Sequence, residues 1–114
     1  MHRVTAVLFI RLSAIGDIVL STPLLRELAT AFPEARISFC TKAPFIDLLT
    51  ANPRIERCYT PDTLPPGSSY DLVVDLQNNA RSRSIVRRVH AGKVVRYRKR
   101  NWKKWSAKDR KSVV

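Results

Sequence analysis

The hydrophobic pattern of the first third of the chain predicts a strand, a tight turn and a helix. Residues 4–10 are continuously apolar and rich in branched and aromatic side chains, as in a parallel strand buried on both faces. Apolar residues then recur at helical spacing until Pro33, which cannot continue a helix. They are Leu24, Leu25, Leu28, Ala31 and Phe32. Pro23 indicates either a kink in this helix or a second helix that begins at Thr22.

The rest of the chain alternates between strand and helix patterns. Further strands are predicted at 36–40, 55–60, 70–76 and 94–97. One helix is predicted at 44–51, and another around Ile85, Val86 and Val89, with Gly92 as its C-terminal cap. Residues 61–69, which include Pro65, Pro66 and Gly67, read as an exposed loop.

This alternation predicts the α/β class, with a Rossmann-like parallel sheet sandwiched by helices. Right-handed crossovers then favour the strand order 3-2-1-4-5, in which the direction of winding reverses between strands 1 and 4. Ligands of such sheets bind where the order reverses, at the carboxyl ends of the strands. We therefore expect the loops at 13–17 and 77–81 to face one ligand.

Length and composition limit the alternatives. A chain of 114 residues with 45% hydrophobic content can form one domain with a core of its own. Arg11 closes the longest apolar run well short of the roughly 20 residues that span a bilayer, so we expect neither a membrane helix nor a signal peptide, and a cytoplasmic protein. Cys40 and Cys58 stand far apart without a histidine at metal spacing, which favours buried free thiols and predicts no metal site.

The positive charge is concentrated at one end of the chain. The net charge is +12, yet residues 1–80 carry −1 and residues 81–114 carry +13. This asymmetry indicates an anionic partner, or a basic segment that is cut off from the acidic part of a larger protein that would complement it. Residues 97–105 interleave basic and aromatic side chains, a composition that suits single-stranded nucleic acid, an anionic membrane surface or a piece of a larger enzyme.

The first turn after strand 1 holds the strongest candidate for chemistry. Gly16 is a single glycine, so the fingerprint of a dinucleotide site is absent, and it serves either a sharp turn or a ligand. Asp17 is either an acid that bonds the free amides of a helix start or a general base at the mouth of the crevice.

Three charged residues near strand 4 have two interpretations each. Asp75 either faces the crevice or pairs with a nearby arginine. Arg81 and Arg83 precede a helix pattern, and they are either solvated or bind phosphate and carboxylate groups through their forked donors.

Several segments, in consistent order, carry a resemblance that extends over about residues 4–105. They are Arg11–Pro23 (RLSAIGDIVLSTP), Leu25–Leu28 (LREL), Thr41–Phe45 (TKAPF), Asn52–Pro53, Tyr70–Ser82 (YDLVVDLQNNARS) and Val95–Tyr97 (VRY). Together they resemble the N-terminal half of glycosyltransferase family 9, the ADP-heptose:lipopolysaccharide heptosyltransferases.

The resemblance implies a GT-B fold, with two Rossmann-like domains facing across a cleft, and an inverting, metal-free transfer of heptose. The donor substrate would be ADP-heptose, with no further cofactor, and the acceptor an acidic sugar of the lipopolysaccharide inner core. Asp17 matches the catalytic aspartate of the family. Ser13, Ala14, Ile15 and Gly16 would shape the acceptor side, and Gln77, Asn78 and Arg81 would bind the acceptor.

The resemblance also sets the expected domain organisation. Residues 1–105 would form the acceptor-side domain, residues 106–114 would form an atypical, disordered tail, and the donor-binding C-terminal domain would be absent. We therefore expect a fragment that is inactive by itself, whose intact form contacts the inner membrane surface peripherally and does not bind nucleic acid. The alternative is a stand-alone basic module that binds nucleic acid or anionic lipid.

Overall fold

The part of the chain that the structure describes forms a five-stranded parallel sheet. A computed structural model describes residues 3–98. Its strands are β1 (Ala6–Ile10), β2 (Arg36–Cys40), β3 (Arg57–Tyr59), β4 (Ser69–Asp75) and β5 (His90–Arg96). They lie in the order β3-β2-β1-β4-β5, and every neighbouring pair is parallel. The predicted order, with its reversal between strands 1 and 4, is confirmed.

Helices cover both faces of the sheet, as the pattern predicts. The helices are α1 (Ile15–Leu20), α2 (Thr22–Ala31), α3 (Ile46–Thr50), which follows a 3-10 turn at Ala43–Phe45, and α4 (Ala80–Arg87). Buried side chains of the first three pack in one core cluster, whereas Ile85 of α4 packs in a second. The sheet therefore separates α1, α2 and α3 from α4.

Alternate side chains of β1 enter these two cores. Val7 and Phe9 pack beneath α1, α2 and α3, and Leu8 and Ile10 pack on the side of α4. The rings of Phe9 and Phe39, on the paired strand β2, stack with their centroids 5.8 Å apart. Burial on both faces explains why the first strand is continuously apolar rather than alternating.

Pro23 lies in a second helix that begins at Thr22, the second of its two interpretations. Ser21 separates α1 from α2 but keeps helical dihedral angles, φ −77° and ψ −16°. Its hydroxyl donates to the Ile18 carbonyl at 2.6 Å. Pro23 lies in the first turn of α2, where the missing N–H costs no helical hydrogen bond.

Gly92 is not a helix cap, so that prediction is wrong. The helix ends at Arg87 with Arg88 as its C-terminal cap, and Gly92 lies inside β5, which begins at His90 rather than at residue 94. An added Cβ at Gly92 would come within 2.8 Å of the Asp71 carbonyl oxygen on β4. Glycine is therefore present because the backbones of β4 and β5 approach closely.

Residues 99–105, which hold most of the basic and aromatic stretch, and the predicted tail at 106–114 lie outside the described residues. Their interpretation as a nucleic-acid or membrane segment stays a prediction. Within residues 3–98, no helix is long and apolar enough to cross a membrane.

The contact at Gly92 predicts a destabilising substitution. Gly92→Ala should lower the free energy of unfolding by about 1–3 kcal/mol, because the new methyl group collides with backbone that cannot rotate away. Urea denaturation measures this loss. Gly16→Ala is the matched control, since an added Cβ there meets no atom within 4 Å. Equal effects of the two substitutions would contradict the explanation.

Candidate active site

The loops that follow β1 and β4 are joined at the carboxyl edge of the sheet. Ile10 and Asp75 are register partners, and the Leu76 amide donates to the Ile10 carbonyl at 2.9 Å. Further along both loops, the Leu12 amide donates to Oε1 of Gln77 at 2.9 Å. Two segments more than 60 residues apart in sequence thus form one wall at the position where the strand order reverses.

Asp17 lies in this wall, in the first turn of α1, and forms an ion pair with Arg11. The distance from Nη2 of Arg11 to Oδ2 of Asp17 is 2.7 Å, and the two side chains are 15% and 16% exposed. Nη1 of Arg11 donates to the Leu76 carbonyl at 3.0 Å. Arg11 therefore fixes the carboxylate of Asp17 relative to the end of β4 while leaving part of it accessible.

The residues between Arg11 and Asp17 are largely open to solvent. Ala14, Ile15 and Gly16 are exposed and Ser13 is half-buried. Gly16 is helical, has no left-handed φ and has free space where a side chain would stand. The interpretation that Gly16 serves a sharp turn is therefore wrong. Nothing within the described chain requires glycine there, and its effect is to keep the surface beside Asp17 clear.

Asp75 does not face the crevice; it pairs with an arginine, the second of its two interpretations. Its carboxylate is fully buried, and Oδ2 lies 3.2 Å from Nε of Arg96. The same oxygen accepts from the Ser82 hydroxyl at 2.8 Å, and Oδ1 accepts from the amides of Gln77 and Asn78 at 3.1 and 2.8 Å. Asp75 thus builds the loop and anchors the start of α4.

Local capping completes the loop between β4 and α4. Asn78 adopts the left-handed region with φ 50°, which asparagine tolerates better than most residues. Asn79 caps α4 through a reciprocal capping box with Ser82. This backbone path brings the N-terminal turn of α4, with Arg81 and Arg83, to the edge that holds Asp17.

Arg81 and Arg83 are both exposed at this edge. Nη2 of Arg83 lies 3.4 Å from Oδ1 of Asn78. Burial raises the pKa of the Cys40 thiol to about 12, against smaller opposing effects of Arg88 and Arg81. The buried thiol itself stays protonated and is unsuited to nucleophilic chemistry.

Two contacts at this edge are not apparent from the pattern. No role for Arg11 is predicted from the sequence, although a cation directly after a buried strand, six residues before an acid, is a signal for an ion pair across a strand-to-helix junction. Gln77 is predicted to bind substrate, but its side-chain oxygen accepts from the Leu12 amide. In this structure that oxygen joins the two loops.

A second concave surface lies at the opposite edge of the sheet. This groove of about 610 Å³ is lined by Thr5, Tyr70 and His90 among others. Asp71 also lines this groove, and its carboxylate accepts from the amides of Thr5 and Ala6 and from the Thr5 hydroxyl at 2.8–3.0 Å. Asp71 therefore secures the start of β1. Since open α/β sheets bind ligands at their carboxyl edge, we place the candidate site around Asp17.

No metal-binding cluster is found in the part of the chain that the structure describes. Residues 3–98 contain no group of three or more His, Cys, Asp or Glu side chains that could hold a metal ion. Cys40 and Cys58 are both free thiols. Cys40 is buried and Cys58 is half-buried, where burial also raises its pKa.

Comparison with solved structures identifies the fold. A glycosyl transferase family 9 protein from Veillonella parvula superposes with a TM-score of 0.69 at 20% identity, over 82% of this chain and 32% of its own. The E. coli heptosyltransferase WaaC, solved with ADP-2-deoxy-2-fluoro heptose, gives 0.69 at 19% identity, over 81% of this chain and 35% of its own. No protein-family model and no curated protein sequence matches the chain.

These likenesses concern one part of a larger architecture. The chain spans about a third of the length of each of the two solved structures. The resemblance to glycosyltransferase family 9 seen in the sequence is confirmed at the level of the fold. The chain has the Rossmann-like α/β fold of a domain of the GT-B glycosyltransferases.

The role of Asp75 predicts a large loss of stability. Asp75→Ala should lower the free energy of unfolding by about 3 kcal/mol, because it leaves two loop amides, the Ser82 hydroxyl and Arg96 without their acceptor. Thermal or urea unfolding measures the loss, and Asp62→Ala, at an exposed loop acid, is the control. A loss below about 1 kcal/mol would show that this network does not hold the loop.

Proposed function

We propose that this chain is the acceptor-side domain of an inverting glycosyltransferase that moves heptose from ADP-heptose to an acidic sugar of the lipopolysaccharide inner core. The observation that carries the proposal is the carboxylate of Asp17, held by Arg11 where the strand order reverses, in a fold shared with family 9 enzymes. The heptose-nucleotide analogue in the WaaC structure supports this class of donor.

Asp17 acts as the general base in the proposed reaction. Its carboxylate takes the proton of the acceptor hydroxyl while that oxygen forms a bond to the anomeric carbon of the donor. The bond from this carbon to the ADP oxygen breaks on the opposite face, so ADP leaves with the electron pair and the configuration inverts. Arg11 orients the carboxylate through its hydrogen bonds to Asp17 and Leu76.

The surrounding loops bind the acceptor. Ser13, Ala14, Ile15 and Gly16 form the surface next to the base, and the missing side chain of Gly16 leaves room for the sugar. Gln77 and Asn78 line the facing loop. Arg81 supplies a guanidinium for carboxylate or phosphate groups of the acceptor. The donor is bound by a second domain, and the intact enzyme works at the cytoplasmic side of the inner membrane.

A chimera tests the role of Asp17. When the chain is joined to the C-terminal domain of WaaC, Asp17→Asn should lower kcat by about 10²-fold or more with the donor KM nearly unchanged, because it removes a base rather than a binding contact. ADP release measures turnover. Asp47→Asn is the matched control, since Asp47 is also an acid in the first turn of a helix.

Two outcomes would contradict the proposal. Unchanged kcat in the Asp17→Asn chimera would return this residue to the role of a helix-start acid. Acceptor-dependent release of ADP by the 114-residue chain alone would remove the need for a second domain, because we expect the isolated chain to be inactive when donor and base are not held together.

Charge reversal tests the acceptor contact. Arg81→Glu in the same chimera should raise the KM for the acceptor about tenfold or more and leave the KM for the donor unchanged, because a charge-assisted contact becomes repulsive. Arg87→Glu, at the exposed last turn of the same helix, controls for net charge. Equal effects of the two reversals would assign the change to general electrostatics.

A further inference from the structure

A small groove lies on the face of the sheet that carries α4, near the amino ends of β1, β2 and β3. Cys40 and Tyr59 pack in the core cluster of α4, so the residue two positions before each of them lies on the same face. The groove has a volume of about 190 Å³. It is lined by Ala6, Arg36, Ser38, Arg57, Tyr59 and Tyr70 among others, and we call it the Arg36–Arg57 groove.

Small side chains on two strands leave the space that the groove occupies. Leu8 and Ile10 of β1 pack beneath α4 at the carboxyl half of this face. At its amino half stand Ala6 of β1 and Ser38 of β2, the register partner of Leu8. The shape of the groove therefore follows from the strand residues themselves.

Backbone hydrogen bonds fix the wall that precedes β4. The Gly67 amide donates to the Arg88 carbonyl at 2.7 Å, and the His90 amide donates to the Ser68 carbonyl at 2.8 Å. These bonds join the loop to the end of α4 and to the start of β5. Tyr70, which follows this loop, is half-buried and packs in the cluster of α4. The groove is thus formed before any ligand binds.

Two arginines without a protein partner border the groove. Arg57 is the register partner of Ser38, and Arg36 lies two residues before Ser38 on the same strand. Their Cβ atoms are therefore about 8 Å apart, since neighbouring strands are about 4.8 Å apart and rise about 3.3 Å per residue. Among residues 3–98, neither guanidinium forms an ion pair or a hydrogen bond, and both side chains are exposed. Two forked donors at this separation can converge on one phosphate group.

The same groove holds groups that suit a sugar ring. Glu56 lines it, and the Glu56 amide donates to the Ile37 carbonyl at 2.7 Å, which holds the start of β3 against β2. A carboxylate repels phosphate but accepts hydrogen bonds from hydroxyl groups. Tyr59 and Tyr70 supply aromatic surface against which an apolar ring face can pack. Donors for an anion thus stand beside an acceptor for hydroxyls and a surface for a ring.

We propose that the Arg36–Arg57 groove binds a phosphorylated monosaccharide. The phosphate lies between the two guanidinium groups, a ring hydroxyl donates to Glu56, and the ring packs against Tyr59 and Tyr70. A volume of about 190 Å³ lies below the roughly 300 Å³ at which sites for drug-sized ligands begin, which favours one sugar ring over a nucleotide.

This site is separate from the one around Asp17. The groove lies at the amino ends of the strands, whereas Asp17 follows the carboxyl end of β1, so the length of the sheet stands between them. The proposal adds a second binding site to the domain. It holds whether or not the transfer reaction is the one proposed above.

Titration of the 114-residue chain with glucose 6-phosphate tests the proposal. Isothermal titration calorimetry gives the Kd, and glucose and inorganic phosphate serve as partial probes. Glucose 6-phosphate should bind about tenfold or more tightly than either partial probe, because it uses the arginines and the ring surface together. Arg36→Gln with Arg57→Gln should weaken its binding about tenfold or more, because the phosphate loses its charge-assisted hydrogen bonds.

A matched pair of arginines separates this groove from general charge. Arg26 and Arg54 are exposed and lie outside the groove, so Arg26→Gln with Arg54→Gln makes the same change in net charge. This control should keep the Kd within about threefold, since it removes only long-range attraction.

A neutral variant tests the shape of the groove. Ser38→Leu fills its floor and leaves both arginines in place, so it should remove measurable binding, with circular dichroism as the check of folding. The arginine variants change only exposed side chains and therefore test the proposal even where Ser38→Leu does not fold.

Backbone amide resonances followed by NMR locate the ligand, and they should shift at residues 36–38, 56–59 and 68–70. Four results would overturn the proposal. They are no binding of glucose 6-phosphate, an equal loss in both arginine variants, shifts confined to residues 13–17 and 78–83, and inorganic phosphate or AMP binding as tightly as glucose 6-phosphate. The last result would assign the groove to a simple anion or to a nucleotide.

Discussion

The guanidinium of Arg11 is the contact on which the candidate site depends. It binds the carboxylate of Asp17 at 2.7 Å and the carbonyl of Leu76 at 3.0 Å, and so it connects the first turn of α1 to the end of β4. A sheet alone brings the two strand ends together, but it does not orient the side chains beyond them. Arg11 gives the acid of one loop a fixed position relative to the other loop.

Asp75 likewise fixes the loop that follows β4. Its buried carboxylate accepts from two loop amides, a serine hydroxyl and an arginine, which determines both the left-handed Asn78 and the start of α4. The two acids at this edge thus differ in their burial and in their contacts. Asp75 is buried and builds the scaffold, whereas Asp17 is partly accessible, as the proposed general base must be.

The fold can be predicted from the sequence because the spacing of hydrophobic residues reflects which side chains are buried. The continuous apolar run of β1 reflects packing on both faces, and the change to helical spacing marks α2. The start of β5 was missed because His90 to Lys93 are polar or small, and only their pairing with β4 makes them a strand. Gly92 was misplaced for the same reason, since its close contact with Asp71 involves residues distant in sequence.

The sequence predicts where the site lies but not the hydrogen bonds and the ion pair that build it. Strand order alone indicates that the loops around Asp17 and Gln77 meet, and the structure brings them together. Periodicity does not encode the direction of a polar side chain. It therefore does not predict that Gln77 accepts from the Leu12 amide or that Arg11 pairs with Asp17. The sequence also does not predict the free space beside Gly16, because it does not distinguish a glycine that a turn requires from a glycine that leaves room for a ligand.

The central claim is that the two loops form one binding site, and a titration of the isotope-labelled chain with an acidic inner-core sugar of lipopolysaccharide tests it most directly. Backbone amide resonances followed by NMR should shift together at residues 13–17 and 78–83, and Arg81→Glu should weaken both sets of shifts equally. Shifts confined to the opposite groove around Thr5, Tyr70 and His90, or an absence of shifts at both loops, would contradict the account.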